Sequence, residues 1–347
     1  MLKYTDEYLS DLLSACRNLH EIDVLSYKRI LITGATGLIC STLVDLLMVL
    51  NTQFGMSIQV YAAGRNSEKM NKRFDHWTNR PECHFFEYDA LKPVITDEIF
   101  DFVIHGASNA NPVAYNTQPV ETMMCNLYGI HNIFELAREK KVGRVLYISS
   151  SEVYGKKNDG TAYGESDYNY LDLLNPRACY PSSKRAAETL CASYKKEYGV
   201  DFVIVRPGHV YGPTMTDTDS RASSQFPRDV KAGNDIVMKS AGHQLRSYCY
   251  VVDCTSAIMT VLLRGVSGEA YNISNACSVV TIREMAKAFA EASGKKVVFK
   301  IATADETASY NLMDNSSLTS TKLEALGWRG QYNLLDGVKR TLNSIVV

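Results

Sequence analysis

The sequence predicts an α/β fold with a doubly wound parallel sheet and a smaller mixed α/β C-terminal part. Segments typical of strands and of helices alternate from residue 29 to residue 207. The predicted strands are continuous apolar runs, as in parallel sheets that helices cover on both faces. Beyond Gly208 the alternation ends in a stretch rich in Gly, Pro, Asp and Ser, between residues 212 and 234. A chain of 347 residues is long enough for more than one domain but not for three.

A predicted helix precedes the alternation. Leu9, Leu12, Leu13 and Cys16 fall on one helical face within residues 4–19, which indicates a helix docked on the body, with partner binding as the alternative. Strands are predicted at residues 29–34, 58–63, 83–89, 100–108, 144–150 and 201–207. Helices are predicted at residues 38–51 and 126–140, after Tyr180, and at residues 281–293 and 316–326.

Composition excludes several classes of partner. Lys plus Arg number 37 against 38 for Asp plus Glu, so the chain has no cationic surplus for nucleic acid or for an anionic membrane surface. The longest dense apolar stretch, at residues 46–50, is far short of the ~20 residues of a membrane span. The charged first residues have no apolar run, so we do not expect a secretory signal. The nine cysteines are scattered without metal-ligand spacing. We expect a cytoplasmic protein with reduced thiols and no metal.

A glycine-rich turn joins the first predicted strand to the first predicted helix. Gly34 permits the tight turn, and Gly37 lets the backbone approach a pyrophosphate at the helix N-terminus. Cys40 replaces the usual third glycine, and its bulkier side chain should loosen cofactor packing. The position of this turn predicts a Rossmann-type, dinucleotide-binding domain.

The end of the second predicted strand bears on the choice of cofactor. NAD sites generally place an acid here for the ribose 2′-hydroxyl, but this strand ends in Gly64-Arg65. Arg65 is suited to grip a 2′-phosphate, which favours NADP over NAD. The alternative is a solvated cation stacked on the adenine. Asp89, after the third strand, is placed to meet the adenine edge or to cap a helix.

Tyr180 and Lys184 lie four residues apart at the start of a predicted helix, so both project from one face. A free tyrosine has a pKa of ~10, too high for a base at neutral pH. A neighbouring ammonium and a cationic nicotinamide would lower this pKa toward the working range. Ser150 ends the preceding strand and can offer its hydroxyl to the same substrate oxygen. These three residues predict a reactive cluster.

The motifs TGATGLIC, HGAS, SSSEVYG, YPSSK, RPGHVYGP, RSYCYVVD and LGW occur in this order along residues 28–345. Together they resemble the extended short-chain dehydrogenase/reductase superfamily and, within it, the NAD(P)-dependent nucleotide-sugar epimerase/dehydratase group. The resemblance implies Ser150, Tyr180 and Lys184 as a catalytic triad and a nucleotide-sugar bound under the C-terminal part. It also implies a homodimer through helices near residues 120–138 and 181–197.

Within that group, the sequence looks most like UDP-glucuronate decarboxylase. Related dehydratases carry an Asp-Glu pair before Val-Tyr-Gly, whereas this chain has Ser151-Glu152, and a serine cannot be the acid for water loss. Arg246 falls where the decarboxylases keep an arginine for the substrate carboxylate, although many relatives use one there for the nucleotide phosphates. Arg221 and Gln225 match a stretch that contacts the nucleotide. His209 replaces the asparagine that relatives usually present to the sugar nucleotide.

In the mechanism that the resemblance implies, Tyr180 takes the C4 hydroxyl proton while C4 delivers a hydride to the nicotinamide. Lys184 holds the ribose, Ser150 bonds the C4 oxygen, and Glu152 with Arg246 orients a C5 carboxylate that leaves as carbon dioxide. Without a C5 carboxylate, the 4-keto sugar would become a 4-epimer. The motifs are also compatible with net reduction of a keto-sugar by NADPH, or with a dinucleotide-binding module that has no catalytic activity.

The predicted organisation has three parts: an N-terminal helical extension (1–27), a dinucleotide-binding domain (28–207, with a returning segment at about 244–265) and a substrate-binding domain (208–243 and 266–347). The predicted catalytic residues are Ser150, Glu152, Tyr180 and Lys184. The predicted cofactor contacts are Gly34, Thr36, Gly37, Leu38, Ile39, Arg65, Asp89, Ala107 and Lys184. The predicted substrate contacts are Ser151, His209, Arg221, Gln225 and Arg246.

Overall fold

Thirteen strands and eleven helices occur in residues 2–300 and 313–345, which are the residues that the structure, a computed structural model, describes. The strands are β1 (Arg29–Thr33), β2 (Gln59–Gly64), β3 (Cys83–Glu87), β4 (Phe102–His105), β5 (Arg144–Ile148), β6 (Phe202–Pro207), β7 (His209–Tyr211), β8 (Ile236–Met238), β9 (Leu245–Tyr250), β10 (Ala270–Ile273), β11 (Val279–Thr281), β12 (Val297–Phe299) and β13 (Asn315–Ser316). The helices are α1 (Asp6–Arg17), α2 (Leu38–Phe54), α3 (Ser67–Arg73), α4 (Pro112–Thr117), α5 (Pro119–Lys140), α6 (Cys179–Tyr198), α7 (Ala222–Lys231), α8 (Val251–Arg264), α9 (Ile282–Ser293), α10 (Thr321–Ala325) and α11 (Leu334–Asn343).

Seven parallel strands form the central sheet, in the order β10-β6-β5-β4-β1-β2-β3. Successive strands run outward from β1 in one direction and from β4 in the other. The loops that follow β1 and β4 therefore separate at the carboxyl edge of the sheet, where such folds bind ligands. This sheet confirms the predicted doubly wound α/β fold.

Helices cover both faces of the sheet. α2 and α8 pack on one face, and α5 and α6 pack on the other. In α2, every residue from Leu38 to Asn51 except Ile39 is buried, because α1 and α8 cover the sides that the sheet leaves open. A helix that is apolar on nearly all sides requires such cover.

The C-terminal elements form smaller sheets around β9. β9 pairs with β7 and β13 in parallel and with β11 in antiparallel, and β8 pairs with β12. The helix predicted at residues 316–326 is wrong at its start, because the backbone of Ser316 pairs with Arg246 in β9 and α10 begins only at Thr321. β10 pairs with β6 and so belongs to the central sheet. It lies after the segment at about residues 244–265 that the sequence predicts to return to this domain.

None of the helices in the described ranges is long and apolar enough to cross a membrane.

Two buried carboxylates hold the N-terminal helix α1. Asp45 on α2 accepts a 2.7 Å hydrogen bond from the Tyr8 hydroxyl. Asp11 on α1 accepts hydrogen bonds of 3.1 Å from the hydroxyls of Tyr250 and Tyr332, which belong to the C-terminal half of the chain. The helix predicted at the N-terminus therefore exists and connects α2 to β9 and to the segment before α11.

Candidate active site

A cleft of about 630 Å³ lies at the carboxyl edge of the central sheet. Its walls come from the loops after β1, β2, β4 and β5, from the start of α6, and from the segment after β6. The structure brings all of the predicted cofactor residues to this cleft, which is lined by Gly34, Thr36, Gly37, Leu38, Ile39, Arg65, Asp89, Ala107 and Lys184.

The glycine turn has the geometry that a dinucleotide pyrophosphate requires. Gly34 has a φ of +69°, and a Cβ there would lie 2.8 Å from the backbone nitrogen of Ala107, so a side chain is excluded. Gly37 is the N-cap of α2 and provides no side chain to cap it. The first-turn N–H groups of α2 therefore keep their capacity to bind an anion. These residues fit the phosphates of a dinucleotide.

Cys40 is accommodated in the packing of α2 against the sheet, and the looser cofactor packing that the sequence predicts stays a prediction. Its side chain is buried, and its sulfur lies over Gly106, where an added Cβ would overlap it. Gly106 belongs to the turn after β4, the strand next to β1. Because Gly106 has no side chain, it leaves room for the Cys40 sulfur where a third glycine in the turn would have left room for the strand. Close packing between α2 and the sheet is retained.

Two cations line the cleft at the end of β2. Arg65 is exposed, and Lys69 follows it by one helical turn in α3. Lys69 is absent from the residues predicted by sequence. Asn66 caps α3 by accepting a 2.8 Å hydrogen bond from the backbone N–H of Lys69, which places this lysine in the first turn of the helix. Asp89 also lines the cleft, while its carboxylate accepts a 3.1 Å hydrogen bond from the backbone N–H of Leu91. No helix begins at Asp89, so the helix N-cap that the sequence offers as an alternative is wrong, and the carboxylate closes a local turn instead.

Ser150, Tyr180 and Lys184 line the same cleft. The Lys184 ammonium donates a 2.8 Å hydrogen bond to the carbonyl oxygen of Ile148 at the end of β5. It lies 5.7 Å from the centre of the Tyr180 ring and 4.7 Å from that of Tyr147. Ser150 follows β5, and Tyr180 and Lys184 lie at the start of α6. These two elements therefore bring the three reactive side chains together.

The surroundings of Tyr180 favour its protonated form. Burial, and after it the nearby Glu152 carboxylate, raise the pKa of Tyr180 to about 12, while Ser150, Arg221 and Tyr115 act in the opposite direction. The sequence predicts that Lys184 lowers this pKa, but burial has the largest effect and the net shift is upward. Burial also lowers the pKa of Lys184 to about 8. Both shifts have the same cause, since each charged form is poorly solvated.

Glu152 is engaged by Arg177, a residue that the sequence motifs do not indicate. Arg177 donates hydrogen bonds of 3.1 and 3.2 Å to the two carboxylate oxygens of Glu152. The Arg177 guanidinium also lies 4.6 Å from the centre of the Tyr115 ring, which stacks on Tyr180. Arg177 stands three residues before Tyr180. Its contacts with Glu152 and Tyr115 could not be predicted from the sequence, because both residues are far from it along the chain.

Of the predicted substrate residues, Arg221 lines the cleft with the reactive group. Its guanidinium pairs with Asp219, with a shortest distance of 2.5 Å. Gln225 is exposed on α7, one turn beyond Arg221, and Ser151 is buried after β5. Within the part of the chain that the structure describes, Ser151, Glu152, His209, Gln225 and Arg246 do not line the cleft.

His209 and Arg246 lie on the paired strands β7 and β9. The pKa of His209 is lowered to about 3 by burial and by the charges of Arg246 and Arg221, so its imidazole is neutral at working pH. Its Nδ1 is buried and has no hydrogen-bond partner among the described residues. Arg246 is 3% exposed and donates a 2.9 Å hydrogen bond to the carbonyl oxygen of Leu245. The neutral imidazole of His209 and the buried guanidinium of Arg246 thus lie close together.

The doubly wound sheet and the cleft define an enzyme of the dinucleotide-dependent α/β class. The sequence matches the NAD dependent epimerase/dehydratase family over residues 30–274, and the chain belongs to that family. It is 32% identical over 317 residues to UDP-glucuronic acid decarboxylase 5 of Arabidopsis thaliana, covering 90% of this chain and 88% of that protein. It is 30% identical over 321 residues to UDP-glucuronic acid decarboxylase 1 of Xenopus tropicalis, covering 91% and 72%. The family predicted from the motifs is confirmed.

Solved structures share the fold at lower identity. UDP-glucuronic acid 4-epimerase from Bacillus cereus, in complex with UDP-glucuronic acid and NAD, has a TM-score of 0.75 at 22% identity, covering 91% of this chain and 98% of that one. UDP-glucose 4-epimerase from Thermotoga maritima, with UDP-glucose, has a TM-score of 0.74 at 21% identity, covering 91% and 97%. The fold is therefore common to enzymes that carry out different reactions.

Proposed function

We propose that this chain is a UDP-glucuronate decarboxylase that acts at C4 of the sugar through Ser150, Tyr180 and Lys184. The observation that carries the proposal is their convergence on one cleft, next to the glycine turn and Arg221. Similarity to UDP-glucuronic acid decarboxylases over nine-tenths of the chain supports the substrate. Ser151 in place of an acid argues against dehydration, because its hydroxyl cannot protonate the leaving water.

The residues of the cleft divide the chemistry between them. When bound, the dinucleotide supplies a hydride acceptor for C4. Tyr180 accepts the proton of the C4 hydroxyl, Ser150 donates a hydrogen bond to the same oxygen, and Lys184 holds the ribose. A C4 carbonyl makes a C5 carboxylate part of a β-keto acid, which loses carbon dioxide and takes up a proton at C5. The hydride would then return to C4, so the cycle would leave no net change in the dinucleotide. Glu152 and Arg246 orient that carboxylate, and Ser151, His209, Arg221 and Gln225 contact the nucleotide-sugar.

NADP is the cofactor that the ribose end of the cleft supports. Arg65 and Lys69 line it beside Gly64, where an NAD site has an acid. Two cations would stabilise a 2′-phosphate, and a bidentate guanidinium suits its geometry. The same observation favours a second candidate function, the NADPH-dependent reduction of a keto-sugar nucleotide, since NADP chemistry often consumes its hydride.

The test is to incubate the purified protein with UDP-glucuronate and either NAD or NADP. Release of carbon dioxide with no lasting change in dinucleotide absorbance supports the decarboxylase. Tyr180→Phe is the matched control and should lower the rate by ~10²–10⁴-fold while dinucleotide binding persists. Net NADPH consumption with a keto-sugar nucleotide, and no carbon dioxide from UDP-glucuronate, would replace decarboxylation with the reductase. A new 4-epimer would assign epimerisation, and no turnover of UDP-, GDP-, dTDP- or CDP-sugars would overturn the enzymatic proposal.

We further propose a homodimer through α5 and α6. We also propose the three-part organisation that the sequence predicts, with the change that β10 belongs to the dinucleotide-binding domain because it pairs with β6. α5 and α6 pack side by side, and both carry exposed apolar side chains, Val120 and Tyr128 on α5 and Tyr198 on α6. Tyr128→Asp should convert the dimer into a monomer in light scattering, because it buries a charge in the contact. Ile95→Asp, which alters an exposed residue outside these helices, is the control. A monomeric unchanged protein would overturn the proposal.

A further inference from the structure

Three planar groups are stacked behind the reactive cleft. The rings of Tyr180 and Tyr115 have centroids 4.5 Å apart and planes inclined by 19°. The Arg177 guanidinium lies 4.6 Å from the centroid of the Tyr115 ring. Tyr115 and Tyr180 are buried, so neither ring has room to turn independently. The position of the Tyr180 ring therefore depends on Tyr115.

Arg177 also fixes the turn that carries Ser150. It donates two hydrogen bonds to Glu152, in the short turn at residues 151–154 after β5. The Ser150 hydroxyl oxygen begins this turn by accepting a 3.2 Å hydrogen bond from the backbone N–H of Glu152. A bidentate guanidinium–carboxylate pair fixes direction as well as distance. One arginine thus reaches the supports of both Tyr180 and Ser150.

We propose that Arg177 is a positioning residue that controls proton uptake by Tyr180, through the Glu152 carboxylate and the Tyr115 ring. The inference rests on the proposed role of Tyr180 as the base. The Arg177 guanidinium is committed to the Glu152 carboxylate and to the Tyr115 ring, so it acts through these neighbours rather than on the substrate. Its charge compensates the Glu152 carboxylate, and its guanidinium packs on the Tyr115 ring, which in turn stacks on Tyr180.

The charges around Tyr180 give the direction of the effect. Titratable and charged groups come from each element packed against it: Cys179 and Lys184 on α6, Tyr115 on α4, Glu152 after β5, and Asp219 with Arg221 before α7. Among them, Glu152 opposes formation of the phenolate, and Arg221 favours it. Arg177 pairs with Glu152, so its removal leaves that carboxylate uncompensated, and proton loss from Tyr180 then requires a higher pH.

Arg177→Met keeps an unbranched apolar stem and removes the charge and the forked donors of the guanidinium. We expect it to move the acidic limb of the kcat/KM profile to higher pH by about one unit. Glu152→Gln should move the limb to lower pH, and the double variant should behave as Glu152→Gln, because Arg177 acts on charge through Glu152. Arg177→Lys should fall between Arg177→Met and the unchanged protein. Arg138→Met, which removes the exposed partner of Glu135, should leave the profile unchanged.

A direct titration separates this proposal from the proposed function. Tyrosinate absorbance of the protein saturated with oxidised dinucleotide, compared with the Tyr180→Phe version of each variant, reports Tyr180 without a substrate. A protein that turns over no nucleotide-sugar would overturn the proposed function, while a shift of Tyr180 on Arg177→Met would still support this inference. An unchanged titration and pH profile with lower activity would overturn it in favour of a structural role. If Arg177→Met does not fold, failure of Glu152→Gln to lower the pKa of Tyr180 has the same force.

Discussion

The sulfur of Cys40 occupies the space that a side chain on Gly106 would need. Cys40 lies in the first turn of α2, and Gly106 follows β4, so the two residues set the distance between the helix and the switch point of the sheet. The pyrophosphate turn depends on that distance, because the first-turn amides of α2 must stand at the cleft.

Gly106→Ala should therefore destabilise the protein by ~1–3 kcal/mol through overpacking and weaken dinucleotide binding. Urea unfolding and a dinucleotide titration measure the two effects. Adding Cys40→Ala should recover most of both losses, because the sulfur that meets the new methyl group is gone. Equal losses in the single and double variants would show that the strain arises elsewhere, as from the Ile148 side chain 3.2 Å from the added Cβ.

The site residues that the sequence predicts are those that lie close to each other along the chain. Gly34 and Gly37 share one turn, and Tyr180 and Lys184 share one helical face, so local rules suffice. Tyr115 and Arg177 are far apart in sequence, and only the packing of α4 against the start of α6 and the turn before it brings them into contact. The pKa of Tyr180 likewise depends on burial, which spacing does not reveal.

The fold divides in the same way. Buried strands such as β6 are apolar runs that the sequence predicts, whereas β13 has two residues and exists through its pairing with β9. α7 contains Pro227, which obscures its helical pattern because proline ordinarily breaks a helix interior. Tertiary pairing thus decides the C-terminal elements, including β10 at the edge of the central sheet, and local pattern decides the six strands β1 to β6.

Lys184→Met should make the protein more stable at neutral pH and inactive. Burial lowers the pKa of Lys184 to about 8 from its ordinary 10.5, so the folded state disfavours the ammonium. That penalty is complete below about pH 8 and is lost as the pH rises to about 10.5, where the unfolded chain also releases the proton. Removing the charge should raise the free energy of unfolding by ~1–3 kcal/mol at pH 7, after the lost bond to Ile148 is deducted.

Urea unfolding at pH 7 and above pH 10 checks the gain, which should vanish at the higher pH. Turnover should fall by ~10²–10⁴-fold. Lys196→Met, an exposed position on the same helix, is the control and should change the free energy of unfolding by no more than ~0.5 kcal/mol. A Lys184→Met protein that is less stable at pH 7 would contradict the expectation that the charge is held there at an energetic penalty.

Arg65→Asp should reverse the preference for NADP that we propose. The substitution removes a donor to the 2′-phosphate and places an acid where NAD sites have one. Loss of a charge-assisted hydrogen bond of ~1.5–3 kcal/mol corresponds to a ~10–100-fold rise in the Kd for NADP, with tighter NAD binding. Fluorescence titration with each dinucleotide measures both. Lys72→Asp makes the same charge change on α3 away from the cleft and should leave the ratio unaltered. Tighter binding of NAD than of NADP by the unchanged protein would contradict the expected preference.

Asp45→Asn should loosen the N-terminal helix. The buried Asp45 carboxylate forms a 2.5 Å ion pair with Arg73 and accepts hydrogen bonds of 2.8 Å from the Trp77 indole and of 2.7 Å from Tyr4 and Tyr8. Neutralising it leaves the largely buried Arg73 without its counter-charge, which should lower the free energy of unfolding by ~3–5 kcal/mol. Urea unfolding measures the loss, and faster proteolysis near residues 1–18 should accompany it, because α1 loses its anchor on α2.

Glu269→Gln is the control, since the Glu269 carboxylate pairs with Lys322 at 2.6 Å on the surface with a half-exposed side chain. Exposed pairs contribute ~0–1 kcal/mol, so this variant should unfold at nearly the same urea concentration as the unchanged protein. Comparable losses in the two variants would show that the Asp45 cluster is no stronger than a surface ion pair. Tyr8→Phe tests the link to α1 itself, and it should cost ~1 kcal/mol because Asp45 keeps its other donors. A Tyr8→Phe protein as unstable as Asp45→Asn would place most of the stabilising energy in the single contact between α1 and α2.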